Sequence, residues 1–78
     1  MTADDLQSLI NNGLPCEVCR VEGDGRHWYG TFVSSAFEGK RLIQRHQLVY
    51  ATLGDRMKTD EVHALSMKTY TPTEWAAQ

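Results

Sequence analysis

With 78 residues, 41% of them hydrophobic and 23% charged, the chain has room for one globular domain over residues 1–78, with a thin core that hides only ~60–65% of the surface exposed on unfolding. A net charge of -2 excludes a general nucleic-acid binder held by bulk positive charge. No run approaches the ~20 apolar residues of a membrane span, and the N-terminus lacks a basic-then-apolar leader, so a cytoplasmic chain with reduced cysteines and no membrane partner is expected.

Thr2 and Asp5 have the spacing of a capping box, and Leu6, Leu9 and Ile10 follow as an i, i+3, i+4 stripe. The pattern predicts a helix with Gly13 at its C′ position and Pro15 as its stop. That stripe needs a sheet to cover it. Cys16 to Glu22 alternates as a strand, with Cys19 and Val21 on one face. Gly23-Asp24-Gly25-Arg26-His27 turns the chain, and Trp28 to about Ser34 returns as a second strand. Trp28, Gly30 and Phe32 share one face of it; Tyr29, Thr31 and Val33 share the other. A glycine between two large aromatics fits a place where a ring or a helix backbone crowds in.

Ser35 to Gly39 turns again, with Gly39 suited to positive φ. Lys40 to Met57 is helical in spacing, with Leu42 or Ile43, then Val49 and Tyr50, then Leu53 and Met57 facing inward. Gly54 is expected to interrupt it. After a polar turn, Lys58 to Glu61, comes a short strand opened by His63, with Leu65 and Met67 on one face and Ala64 and Ser66 on the other. Thr71-Pro72-Thr73-Glu74-Trp75 is a helix start with Thr at N-cap, Pro at N1 and Glu at N3; only one turn can follow, pinned by Trp75. The order α-β-β-α(α)-β-α describes an α+β two-layer sandwich, helices on one face of a three-stranded mixed sheet. The face bearing Tyr29, Thr31 and Val33 is expected to stay partly open.

There is no Gly-rich phosphate loop, nucleophile elbow or pair of suitably spaced carboxylates, so the chain is not expected to be an enzyme. Cys16 and Cys19, taken as strand residues, point to opposite faces and cannot chelate one ion; a structural role is expected. Lys40, Arg41, Arg45 and His46, with Arg56 and Lys58 beyond, make a basic stripe in an acidic chain. It is either a solvated helix face or a contact for phosphate or an acidic partner. His46 shares a face with Leu42, Val49 and Leu53 and is expected to be packed and satisfied. No G-x-x-G loop favours a KH-type RNA site. His27 and His63 can lie at one end of the sheet, although a histidine at a strand start is more often an ordinary hydrogen-bonded side chain.

Four segments, in order and spacing, resemble the BolA family: Phe37-Glu38-Gly39-Lys40, Arg45-His46-Gln47-Leu48-Val49-Tyr50, His63-Ala64-Leu65 and Thr71-Pro72-Thr73-Glu74-Trp75. The likeness is closest to the short bacterial YrbA-like (IbaG-like) branch and covers nearly the whole chain. It implies a class II KH-like fold and a non-enzymatic module that pairs with a monothiol glutaredoxin, with glutathione, to hold a bridging [2Fe-2S] cluster. It implies metal ligands at His63 and at the loop residue His27. The basic helix, expected near these histidines, would supply partner or nucleic-acid contacts at Lys40, Arg41 and Arg45, joined by Lys68. Two histidines on one iron leave thiolates to come from elsewhere, so no cluster is expected on the isolated chain. The resemblance also implies an alternative, a DNA-binding transcriptional regulator acting through a helix-turn-helix-like segment in stress response. A homodimer stays open, as does the client of the cluster.

Overall fold

The computed structural model describes residues 2–56 and 64–78. Helix α1 (Ala3–Gly13) opens on the expected capping box. The Thr2 hydroxyl accepts from the Asp5 N–H, and the Asp5 carboxylate accepts from the Thr2 N–H, each at 3.1 Å. The Thr2 N–H chiefly, and then the Thr2 side chain, hold the Asp5 carboxyl below its ordinary value. Leu6 and Ile10 are buried. The C-terminus differs from expectation: Gly13 is still helical and Leu14 is the C-cap, its N–H returning to the Ile10 carbonyl at 2.8 Å. Glycine is suited to position 13 by space, because a Cβ there would stand 2.9 Å from Thr52 Cγ2.

Strands β1 (Val18–Gly23) and β2 (Trp28–Val33) form an antiparallel hairpin, and β3 (Leu65–Tyr70) adds to β2 in parallel, giving the order β1-β2-β3. The mixed sheet and α+β class agree with the sequence. β1 starts later than its alternation suggests, because Cys16 is tied to α1 through its N–H to Asn11 Oδ1 at 3.2 Å. The ring expected over Gly30 is that of Phe32, folded back along its own strand. β3 runs on to Tyr70, burying Thr69 behind half-buried Leu65 and Met67 and leaving Ser66 and Lys68 exposed.

Helix α2 (Leu42–Ala51) is followed by a 3-10 turn at Gly54–Arg56, where Gly54 takes φ 57, so the glycine interrupts the helical stretch as anticipated. Val49 and Leu53 are buried as expected, but Leu42 and Ile43 are 62% and 63% exposed. The helix begins only at Leu42, and Phe37, fully buried in the preceding 3-10 turn, occupies the interior instead. Phe37 joins Leu6, Ile10, Trp28, Phe32, Val49 and Leu53 in the core. Met57 and the turn at 58–61 lie outside the described residues. Helix α3 (Pro72–Ala76) is the predicted single turn; Thr71 and Glu74 cap each other, and Trp75 lies 5.3 Å from the Tyr70 ring.

Contacts fix where α2 lies. Near its start, Arg45 bonds the Thr69 carbonyl at 3.4 Å, and just past its end Thr52 closes on Gly13. Thr69 is near the end of β3, and Gly13 leads into the start of β1. In the observed pairing, both places fall at the end of the sheet where β1 begins and β2 and β3 finish.

Candidate functional site

The opposite end carries the hairpin tip. Asp-Gly turns favour a side chain that bonds its own backbone two or three residues on, and Asp24 does so. Its Oδ1 accepts from the N–H groups of Arg26 and His27, both at 2.9 Å. The His27 N–H is the larger cause, and that of Arg26 the next, of the Asp24 carboxyl lying below its usual range. His27 is exposed, with its backbone held from below. The following residue, Trp28, is 2% exposed, and its N–H donates to the Ala64 carbonyl at 2.8 Å. The residue after His27 and the residue after His63 are therefore hydrogen-bonded to each other. His63 itself lies outside the described residues. Among the described residues no three His, Cys, Asp or Glu side chains gather as a metal site.

The expected basic helix begins away from His27. Arg45 lies at the finishing end of β3, separated from His27 by most of β2, roughly 15 Å at ~3.3 Å per residue. Its guanidinium forms a two-pronged pair with Glu74 (2.7 and 3.3 Å), donates to the carbonyls of Lys40 (3.0 Å) and Thr69 (3.4 Å), and stacks 5.9 Å above the Phe37 ring. Only 13% of its side chain is exposed. Arg45 is thus a structural pin between α2, β3 and α3. The Arg45 bond chiefly, and then the Thr71 N–H, lower the Glu74 carboxyl. Lys40 and Arg41 are exposed at the start of α2, and Lys68 stands in the middle of the outer sheet face. Arg56 bonds the Leu53 carbonyl at 3.3 Å.

Two further expectations change. His46 is packed, but its buried Nε2 has no hydrogen-bond partner among the described residues. The cysteines do not diverge: Cys16 precedes β1, and both side chains pack against the core. Cys16 Sγ also donates to the Leu14 carbonyl at 3.0 Å, and Cys19 Sγ to that of Gln7 at 3.5 Å. Burial pushes the Cys16 thiol up to about 12, helped by the adjacent Cys19, and burial raises Cys19 as well. Protonated thiols are poor nucleophiles and poor ligands, so a structural role suits this pair. Sequence reasoning missed Asp24 as the group that positions His27; the signal was the Asp-Gly pair ahead of it.

A half-open three-stranded mixed sheet backed by helices, in class II KH-like order and with a histidine on its hairpin tip, defines a small α+β module built to present loop ends and one sheet face. The chain belongs to the BolA-like family, whose model matches residues 10–74. It is 36% identical over 76 residues to acid stress protein IbaG of Escherichia coli (strain K12), covering 97% of this chain and 90% of that protein. It superposes on a solved bolA homologue from Coxiella burnetii with a TM-score of 0.82 and 43% identity, covering 97% of both chains. The Escherichia coli (strain K12) DNA-binding transcriptional regulator BolA is 42% identical over 53 residues, 68% of this chain and 50% of that protein. Among the described residues, no helix is long and apolar enough to cross a membrane.

Proposed function

We propose that the chain is a non-enzymatic, cytoplasmic adaptor that pairs with a monothiol glutaredoxin, together with glutathione, to hold a shared [2Fe-2S] cluster through His27 and His63. The observation that carries this reading is the hydrogen bond from Trp28 N–H to the Ala64 carbonyl at 2.8 Å, which joins the chain neighbours of the two histidines. Asp24 supports it by fixing the backbone of His27 while leaving the ring exposed. Bound there, the cluster would supply an iron centre that can be passed on or sensed, in trafficking or in iron, redox or stress regulation. The donor set fits a shared site: two imidazoles can serve one iron, and the remaining ligands are thiolates, which the protonated Cys16 and Cys19 are poorly suited to be. Both rings must be neutral to ligate, so acid competes with iron for them.

The test compares His63→Ala, His27→Ala and His27→Cys, each with the same glutaredoxin, by visible absorption and CD at about pH 8 and about pH 6. His63→Ala is expected to abolish the stable mixed cluster while the protein pair survives in weaker form. His27→Ala should leave a shorter-lived cluster. His27→Cys should give a tighter and less acid-sensitive one, thiolate being the softer ligand. A wild-type spectrum and lifetime in His63→Ala at both pH values would overturn the reading. DNA regulation through the basic helix is the weaker alternative, since Arg45 is bound to the chain's own backbone and to Glu74.

A further inference from the structure

The outer face of the sheet, opposite the helices, is organised in rows by strand pairing. One row is Glu22–Tyr29–Ser66 and the next is Arg20–Thr31–Lys68. A third, Val18–Val33–Tyr70, lies at the finishing end, where Val33 is buried and Trp75 packs at a tilt against Tyr70. The first two rows line an open groove of about 380 Å³, at the small end of the ~300–1,000 Å³ typical of ligand pockets. In it Tyr29 is 58% exposed, although a large ring is costly to leave in water without a partner. Arg20 and Lys68 stand on either side of Thr31, two strand spacings apart or ~10 Å. Neither cation makes an ion pair or side-chain hydrogen bond among the described residues, in contrast to Arg45. Within an acidic protein, this face therefore carries two free cations beside one exposed aromatic ring.

We propose that this face binds a single-stranded nucleic-acid segment, with one base stacked on Tyr29 and the adjoining phosphates held between Arg20 and Lys68. Every base has a π-face, so an exposed tyrosine in a shallow groove accepts one without a deep pocket. Thr31, between the two cations, offers a hydroxyl to the phosphate or sugar. Among the described residues Glu22 is the one carboxylate lining the groove; it repels phosphate, but it lies in Tyr29's row, where a base edge would come. There it accepts from an exocyclic amino group, which cytosine has and thymine lacks. A duplex cannot use the ring, because its bases are already stacked. An acidic peptide would match Arg20 and Lys68 but leave Tyr29 without a planar partner and meet repulsion from Glu22. The site is distinct from the basic end of α2 and does not rest on the cluster reading.

The experiment titrates the full chain, without glutaredoxin, into fluorescently labelled single strands of cytidylate and thymidylate and into a labelled oligoglutamate, following anisotropy at several salt concentrations. The cytidylate strand should bind best, with a log–log salt slope of about −1.4 for two phosphates on a single strand. Tyr29→Ala should weaken it roughly tenfold, and Tyr29→Phe little. Arg20→Gln and Lys68→Gln should each lower affinity and flatten the slope. Glu22→Gln should erase the preference for cytidylate over thymidylate. These side chains are exposed, and unchanged melting temperatures of the variants confirm that binding alone is being read. Full affinity in Tyr29→Ala, or loss through Lys40→Gln and Arg41→Gln with Arg20→Gln and Lys68→Gln unaffected, would overturn the proposal. So would equal affinity for oligoglutamate, equal affinity for a duplex of the same sequence, or no saturable binding to any strand.

Discussion

At the end of the sheet where β2 and β3 finish, charged side chains are fastened to distant parts of the chain. Arg45 alone joins α2 to β3 and α3. At the end where β2 and β3 begin, the charged side chain of the turn bonds locally: Asp24 bonds residues two and three positions on, and His27 projects from the turn that Asp24 braces. Both ends contain a carboxylate with a lowered pKa, yet for different reasons. One carboxylate closes a long-range clamp; the other shapes a turn. A charged residue with several long-range partners is holding the fold, whereas a side chain exposed above a locally braced backbone is free to meet a ligand. By that criterion the hairpin tip is the end that suits the proposed site, and Arg45 is scaffolding.

The comparison would break most visibly at Phe37, the ring under the Arg45 clamp. Truncating a fully buried phenylalanine leaves a cavity and costs ~3–5 kcal/mol, so Phe37→Ala should come close to unfolding so small a domain. Urea denaturation of this variant beside His27→Ala is the check. A similar midpoint for the two would mean that the clamp end is no more structural than the tip.

Arg45→Ala comes next. The exposed ion pair to Glu74 is itself worth little, but the variant also frees two carbonyls and uncovers the Phe37 ring, so ~1–2 kcal/mol is expected. For a domain of this size each kcal/mol lowers Tm by about 4–8 °C. Arg45→Lys should lose most of the same stability, because an ammonium cannot form the two-pronged pair. An unchanged Tm in both variants, with nucleic-acid affinity lost, would return Arg45 to the role of a phosphate contact.

Gly13→Ala sharpens the placement of α2. In an open helix alanine gains ~1 kcal/mol over glycine. Here the new methyl would meet Thr52 Cγ2 at 2.9 Å, and Thr52 is anchored by its hydroxyl to the Val49 carbonyl at 2.6 Å. A net loss of ~1 kcal/mol is expected from overpacking. Adding Thr52→Ser removes Cγ2 and should restore part of it. A stabilised single variant would show that α1 and the end of α2 stand apart in solution.

The sequence made legible those features fixed by local chemistry. Both capping boxes, the hairpin, the faces of β2 and the break at Gly54 follow from residues within a few positions of one another. What stayed hidden needed a distant neighbour. Gly13 looked like a helix terminator because the Thr52 contact is invisible in one dimension. Leu42 and Ile43 matched a helical stripe, but Phe37 had taken the interior. Cys16 alternates with β1 in sequence, while in space it is tied to α1. At the candidate site, the turn that carries His27 was readable and the link from Trp28 to Ala64 was not, since the parallel pairing of β2 with β3 spans the whole of α2.

The smallest expected effect is at Asp24, and it tests the comparison from the other end. Its carboxyl lies below the ordinary value of 3.8, so its two turn bonds favour the folded tip at every pH above that value. That contribution is lost as pH falls through the lowered folded value, because protonation removes the charge that the N–H groups favour. Glu74 has the same sign at the clamp end, present above its ordinary 4.5 and lost on acidification. The two should separate by observable. Glu74→Gln should flatten the acid limb of the melting curve, because the clamp contributes to global unfolding. Asp24→Ala should leave that curve almost unchanged at neutral pH and speed amide hydrogen exchange at Arg26 and His27, measured against the parent at the same pH. Asp24→Asn retains a side-chain carbonyl that can accept both bonds, so it should slow that exchange relative to Asp24→Ala and remove its pH dependence beyond the intrinsic rate. If Asp24→Ala instead lowers Tm as far as Arg45→Ala does, the tip is part of the cooperative core and the division between a structural end and a presenting end fails.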